Sequence, residues 1–156
     1  MLLNIVLLLV AFISMEGVAW LTHKYIMHGI LWHLHRDHHI KEEAGVIEKN
    51  DSFFIVFATP AIILFALGAA NSWMAPEVWI AAGITCYGLT YFFVHDVYIH
   101  QRLKFFRNID NIYFRAIRRA HKIHHKNTGK TGSVCFGMLW VPYEYIQSAK
   151  KSETLK

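Results

Sequence analysis

Eleven histidines stand in this chain of 156 residues, as many as all its aspartates and glutamates together. Ten of them state one pattern twice. His23 and His28 precede His35, His38 and His39, and His95 and His100 precede His121, His124 and His125. Each half reads H-x4-H and then H-x-x-H-H. Neutral imidazole is the commonest protein ligand for first-row metals, and ten gathered rings divide as about five per ion over two ions. A dinuclear metal centre held by these ten residues is therefore the expectation. On a helix the positions i, i+3 and i+4 fall within an arc of about 100°, so His35, His38 and His39 are expected to face one site, and His121, His124 and His125 likewise. The H-x4-H pairs fit a regular helix less well, because i and i+5 lie about 140° apart. Either a local π-bulge or a division of each pair between two metals would resolve this.

The eleventh histidine, His33, falls on the far side of a helix from His35 and is read as a surface or supporting residue, not a ligand. Asp37 and Asp96 adjoin the ligand candidates. They either orient an imidazole through its second nitrogen or pair with Arg36 or a base of the C-terminal segment. Glu16 is the only acid inside an apolar run, which makes it a functional suspect. It shares a helix face with His23 but lies about 10 Å deeper, too deep for ligation, so it lines a cavity or bonds another helix. No catalytic residue beyond the ligand candidates is identified.

The elements that must position these residues follow from composition. Hydrophobic residues make up 54% of the chain and charged residues 17%, too apolar for an ordinary soluble domain of about 25% charge. Three apolar runs, 2–22, 53–70 and 78–94, approach the roughly 20 residues that a helix needs to cross a bilayer. The first has no basic leader or small-residue cleavage pattern and is read as a retained span, not a signal peptide. Pro60 in the second run is expected to kink a membrane helix without breaking it. Pro76 and Glu77 sit where a helix start favours them, making runs two and three a tight hairpin.

All sixteen basic residues fall in the segments 23–52 and 100–156. The excess of bases on cytoplasmic loops then puts both segments, the histidines and the C-terminus in the cytoplasm and the N-terminus outside. The stretch 134–145 is short, aromatic and broken by Gly137 and Pro142, and is expected to lie at the interface, not to cross. Residues 148–156 read as a solvated, fraying tail. Cys86 and Cys135 are too few for a disulfide framework. The expected fold is all-α: a single-domain (1–156) integral membrane helical bundle with at least three spans and a cytoplasmic, helical, His-rich cap.

The motifs His23-Lys24-Tyr25-Ile26-Met27-His28, Leu34-His35-Arg36-Asp37-His38-His39, His95-Asp96-Val97-Tyr98-Ile99-His100-Gln101-Arg102 and His121-Lys122-Ile123-His124-His125 resemble those of the fatty acid hydroxylase superfamily, and more narrowly of the β-carotene 3-hydroxylases. The likeness continues through Met27-His28-Gly29 with Trp32 and through Ser133-Val134-Cys135-Phe136-Gly137, covering most of residues 15–142. The resemblance implies a non-haem di-iron mono-oxygenase that adds a hydroxyl at C3 of each β-ionone ring of a carotenoid. It implies two iron ions on the ten motif histidines, dioxygen as co-substrate and electrons from a ferredoxin-type donor, in a bacterial inner membrane.

Independent chemistry agrees with the class. Zinc has no redox chemistry, so attack on an unactivated C–H bond at a His-rich site needs iron or a similar metal. The chain has no flavin fingerprint, haem-attachment motif or iron–sulfur cysteine set, so its electrons come from outside. From Gln101 onward twelve bases face three acids; this surface either docks an acidic ferredoxin or attracts anionic lipid. No nucleic-acid partner is expected. A carotenoid would enter laterally from the bilayer, along a path shaped by Trp20, Trp32, Tyr25, Tyr91, Phe92 and Phe93 or simply flanked by them as an aromatic belt. Rival readings are a hydroxylase or ketolase of the same superfamily acting on a fatty acyl chain, a sterol or C4 of the ring, and a membrane metal transporter. A transporter should carry polar ligands at the bilayer midplane, where this chain offers only Glu16, Asn4 and small hydroxyls.

Overall fold

The computed structural model describes residues 1–40, 47–106 and 109–154. Lys41, Arg107 and Lys156, three of the bases used to orient the chain, lie outside the described residues. Among those described, the regular structure is helical throughout. Helix α1 (Leu2–Leu21) passes directly into a π-helical turn, π1 (Thr22–Ile30). Helix α2 (Trp32–His39) follows a reversal at Gly29, whose backbone leaves helical geometry. A 3₁₀ turn (Lys49–Ser52) leads into α3 (Phe53–Asn71), and α4 (Pro76–Phe92) passes into a second π turn, π2 (Phe93–Ile99). Helices α5 (Ile112–Lys126) and α6 (Tyr143–Thr154) complete the chain.

Three continuous helices are long and apolar enough to cross a membrane: Leu2–Ile30, Lys49–Asn71 and Pro76–Ile99. The first and third are longer than the apolar runs alone suggest, because the π turns extend them to carry the histidine pairs. Their apolar side chains point outward, Ile13 being 70% and Ile62 65% exposed. Water would not tolerate that display, and hydrocarbon would. Between the helices, packing relies on small residues. A Cβ on Gly83 of α4 would meet the Leu8 carbonyl and the Ala11 side chain of α1, and one on Gly68 of α3 would lie 2.6 Å from Val78 of α4. Removing the side chain lets the backbones approach, as lipid-embedded helices require.

Helix α3 runs through Pro60 without interruption. The hairpin between α3 and α4 is short, with Pro76 in the first turn of α4 and Glu77 beside it. Asn4 Nδ2 donates to the Met74 carbonyl at 3.0 Å, which ties the start of α1 to this hairpin. The opposite ends of the first and third spans carry the histidine pairs, in π1 and at the end of π2.

The segment 133–142 forms no helix, and helix resumes only at Tyr143. One expectation is corrected here. Residues 148–154 are not a fraying tail, because they continue α6. Ala149 is buried with Ala116, Ala120 and Tyr145, and this small-residue contact docks α6 on α5.

Candidate metal centre

The π turns settle the geometry of the H-x4-H pairs. In π1 the Leu31 N–H bonds the Ile26 carbonyl at 2.9 Å, and at the end of π2 the His100 N–H bonds the His95 carbonyl at 2.9 Å. Each of these bonds spans five residues, so side chains five apart come onto one face. His23 and His28 accordingly belong to one group, and His95 and His100 to another.

The H-x-x-H-H triples behave differently from the expectation of one site each. His23, His28, His35, His39 and His124 have ring nitrogens mutually within 4.8 Å, and so do His38, His95, His100 and His121. His125 joins the second group, its Nε2 lying 2.8 Å from that of His121. The i and i+4 rings of each triple stay together while the i+3 ring crosses to the other group: His38 meets His95, and His124 meets His28. The reason is angular. Relative to i, position i+4 sits about 40° one way and i+3 about 60° the other. One ion cannot subtend that spread, but two adjacent ones can. The groups touch where His39 and His125 stack at 4.4 Å.

Within each group the Nε2 atoms face one another at 2.8 to 3.2 Å. Ligand nitrogens at right angles about a metal, with bonds of about 2.1 Å, are separated by about 3.0 Å. The opposite nitrogens are engaged elsewhere. His23 Nδ1 donates to the Phe136 carbonyl at 3.0 Å, His28 to Lys130 at 3.1 Å, His39 to Asn127 at 3.0 Å and His124 to Val134 at 2.7 Å. His35 Nδ1 donates to Asn50 Oδ1 at 2.7 Å, and His38 Nδ1 to Glu48 Oε2 at 2.8 Å. With the proton fixed on Nδ1 in these six rings, each of their Nε2 atoms presents a lone pair. Lone pairs facing at 3 Å repel unless a cation lies between them. Protonation does not relieve this at His39, His100 and His124, because burial holds those imidazoles neutral. His39 falls to about 4, and His100 and His124 to about 3, from an ordinary 6.5. The donor set thus fits two first-row metal ions with nitrogen-rich shells.

Glu48 and Asn50 escaped the sequence reading, since nothing in their spacing marks them, and Arg102 entered it only as the last residue of a motif, with no role of its own. Arg102 bonds Asp51 at 2.8 Å and Asp96 at 3.3 Å and also pairs with Glu48. Asp96 reaches His95 Nδ1 at 3.4 Å, so it both orients an imidazole and pairs with a base. Asp37 accepts from the backbone N–H groups of Lys49 and Asn50. His33 is exposed and belongs to neither group.

Glu16 clamps the segment that backs the first group. Its Oε1 accepts from the N–H groups of Met138, Leu139 and Trp140, each at 2.9 Å, and its Oε2 accepts from Tyr87 at 2.7 Å. Just upstream, Cys135 is in the left-handed region at φ +60°, between the two residues whose carbonyls bond His124 and His23. Among the aromatics, Trp32 packs on His28 at 5.1 Å and Tyr91 on His95 at 5.0 Å. Tyr25, Phe92 and Phe93 face outward instead.

A model of the fatty acid hydroxylase family matches residues 8–146, a span that includes all ten clustered histidines. The chain belongs to the fatty acid hydroxylase family. It is 44% identical over 140 residues to a protein of Pseudescherichia vulneris named beta-carotene hydroxylase, covering 90% of this chain and 78% of the relative. Identity is 41% over 145 residues to the beta-carotene hydroxylase of Paracoccus sp. (strain PC1), covering 91% and 88%. It is 38% over 136 residues to beta-carotene 3-hydroxylase 1, chloroplastic, of Arabidopsis thaliana, covering 86% of this chain and 43% of the longer plant protein. No solved structure matches. Membership makes this membrane-associated hydroxylase an oxidoreductase and sets aside the transporter reading.

Proposed function

We propose that this single-domain chain is a β-carotene 3-hydroxylase. It inserts one oxygen atom of O2 into the C3–H bond of a β-ionone ring, and the other leaves as water with two electrons and two protons. Two successive reactions convert β-carotene to β-cryptoxanthin and then zeaxanthin. The observation that carries the proposal is the pairing of two adjacent five-imidazole pockets at one end of three lipid-facing helices. The substrate named by the relatives is a lipid-soluble carotene, which such a surface can take directly from hydrocarbon.

His23, His28, His35, His39 and His124 would hold one iron ion, and His38, His95, His100, His121 and His125 the other. Bound iron supplies the redox chemistry for O2 activation that no side chain of this protein can provide. The chain's own contribution is to fix the tautomer of the seven rings whose Nδ1 it engages and to present the lone pairs at ligand spacing. The aromatic surfaces of Phe136, Trp32 and Tyr91 pack against the rings from the flanks and limit water around them. Electrons arrive from an external donor of the ferredoxin type. The excess of bases in the segment after Gln101 supports a cytoplasmic, inner-membrane placement of the histidine end, with the N-terminus outside. That excess would also steer an acidic donor.

Expression in bacteria that accumulate β-carotene tests the activity. Zeaxanthin, with β-cryptoxanthin as the intermediate, is the expected pigment. Echinenone would mean oxidation at C4, and unchanged β-carotene would reject the carotenoid substrate in favour of a fatty acyl chain or sterol.

A further inference from the structure

The two imidazole groups are backed by different chemistry. All five rings of the first group donate Nδ1–H to neutral acceptors: the carbonyls of Phe136, Lys130, Asn127 and Val134 and the side-chain amide of Asn50. In the second group, two rings donate to carboxylates, His38 to Glu48 at 2.8 Å and His95 to Asp96 at 3.4 Å. Among the described residues no carboxylate reaches a ring of the first group. The two carboxylates are not accidental neighbours, since one guanidinium, Arg102, pairs with both and with Asp51. Asp51 in turn accepts from the Glu48 backbone N–H at 2.9 Å. This network fixes the carboxylate oxygens against the outer nitrogens of the two rings.

A carboxylate draws the Nδ1 proton more strongly than a carbonyl does and makes the opposite nitrogen a better electron donor. From this difference we infer that the two metal positions are inequivalent, with the second group binding its ion more tightly through Glu48, Asp96 and their shared Arg102. Glu48 is a positioning residue, acting through His38. The inference rests on the reading of the ten histidines as ligands of two ions. It adds an order of filling and loss: the second group loads first and empties last.

Competition of purified, detergent-solubilised protein with the ferrous chelator ferrozine measures both affinities, and Mössbauer spectra of the iron-loaded protein distinguish the sites. The wild type should release iron in two steps of equal size, with affinities about 10- to 100-fold apart, and show two quadrupole doublets. Glu48→Gln keeps the shape but removes the charge, and should weaken the tighter step by about 10- to 100-fold while leaving the other unchanged. Asn50→Asp puts a carboxylate behind His35 and should strengthen the weaker step. A single release step with two bound irons in the wild type overturns the inference while leaving the dinuclear reading intact. Equal loss of both irons in Glu48→Gln, as general unfolding would give, also overturns it. Protein that binds no iron at all overturns the dinuclear reading and the inference together.

Discussion

Replacing Glu16 should loosen the backing of the first imidazole group from a distance. Its carboxyl accepts four hydrogen bonds, from the N–H groups of Met138, Leu139 and Trp140 and from the Tyr87 hydroxyl. Glu16→Ala removes all four acceptor contacts. The Trp140 N–H is exposed and water replaces its partner, but those of Met138 and Leu139 and the Tyr87 hydroxyl are partly buried. Leaving a buried donor unsatisfied costs about 1–3 kcal/mol. The Tyr87 hydroxyl is on α4 and stays unpaired whether or not the segment opens, so the low end for the Met138 and Leu139 N–H groups gives about 2 kcal/mol, or about a 30-fold larger open population of the segment at 1.4 kcal/mol per decade. Hydrogen exchange reads this directly. The amides of residues 138–140 should exchange about 30-fold faster in Glu16→Ala, whereas Glu16→Gln, which keeps one acceptor oxygen, should stay within about threefold of the wild type. Because Phe136 and Val134 lie on this segment and orient His23 and His124, iron affinity at the first group should fall by about 10- to 100-fold. Unaltered exchange at residues 138–140 in Glu16→Ala would refute the clamp.

Further predictions concern the ligands, the helix contacts and pH. His38→Ala and His124→Ala each remove a ring that crosses between halves, and should cut pigment formation by more than about 100-fold while fractionation still finds the protein in membranes. His33→Ala, altering an exposed ring, should leave activity unchanged in the same assay. Gly83→Val places a side chain against the Leu8 carbonyl and Ala11 and should cost about 1–3 kcal/mol, measured as a lower melting temperature in detergent. The metal-free protein should lose stability as pH falls. Burial sets His39 at about 4 and His100 and His124 at about 3, against 6.5 for the ordinary ring. Between 6.5 and those values the unfolded chain takes up protons that the folded chain refuses, so stability contributed by the neutral rings is present above 6.5 and drains away below it. Denaturation of metal-free protein that is flat from pH 7 to about pH 4 would contradict this sign.

The sequence revealed the ligand candidates before the structure did because metal chelation constrains residue type and spacing at once. Few pressures other than ligation leave histidines at two repeated spacings while leaving the apolar runs between them empty. The same strings did not reveal which ring joins which group. That partition depends on where the fold places α2 and α5, which brings the i+3 rings, His38 and His124, to His95 and His28, each in the H-x4-H pair of the other half. H-x4-H left two solutions open, a π-bulge or a division of each pair between two metals, since residues about 140° apart on a regular α-helix do not share a site, and the fold takes the first. The supporting shell was hidden for a different reason. Four of the first group's outer bonds end on backbone carbonyls, which every residue possesses, so no residue type advertises them. Glu48 and Arg102 do have distinctive side chains, yet they meet only because the second span begins beside the end of the third. Glu16 shows the intermediate case. An acid alone in an apolar run announces that it has a partner, but three consecutive N–H groups more than 120 residues away cannot be read from one position. Ligands that must touch a common ion write a local code, and the groups that aim them are specified only by the fold.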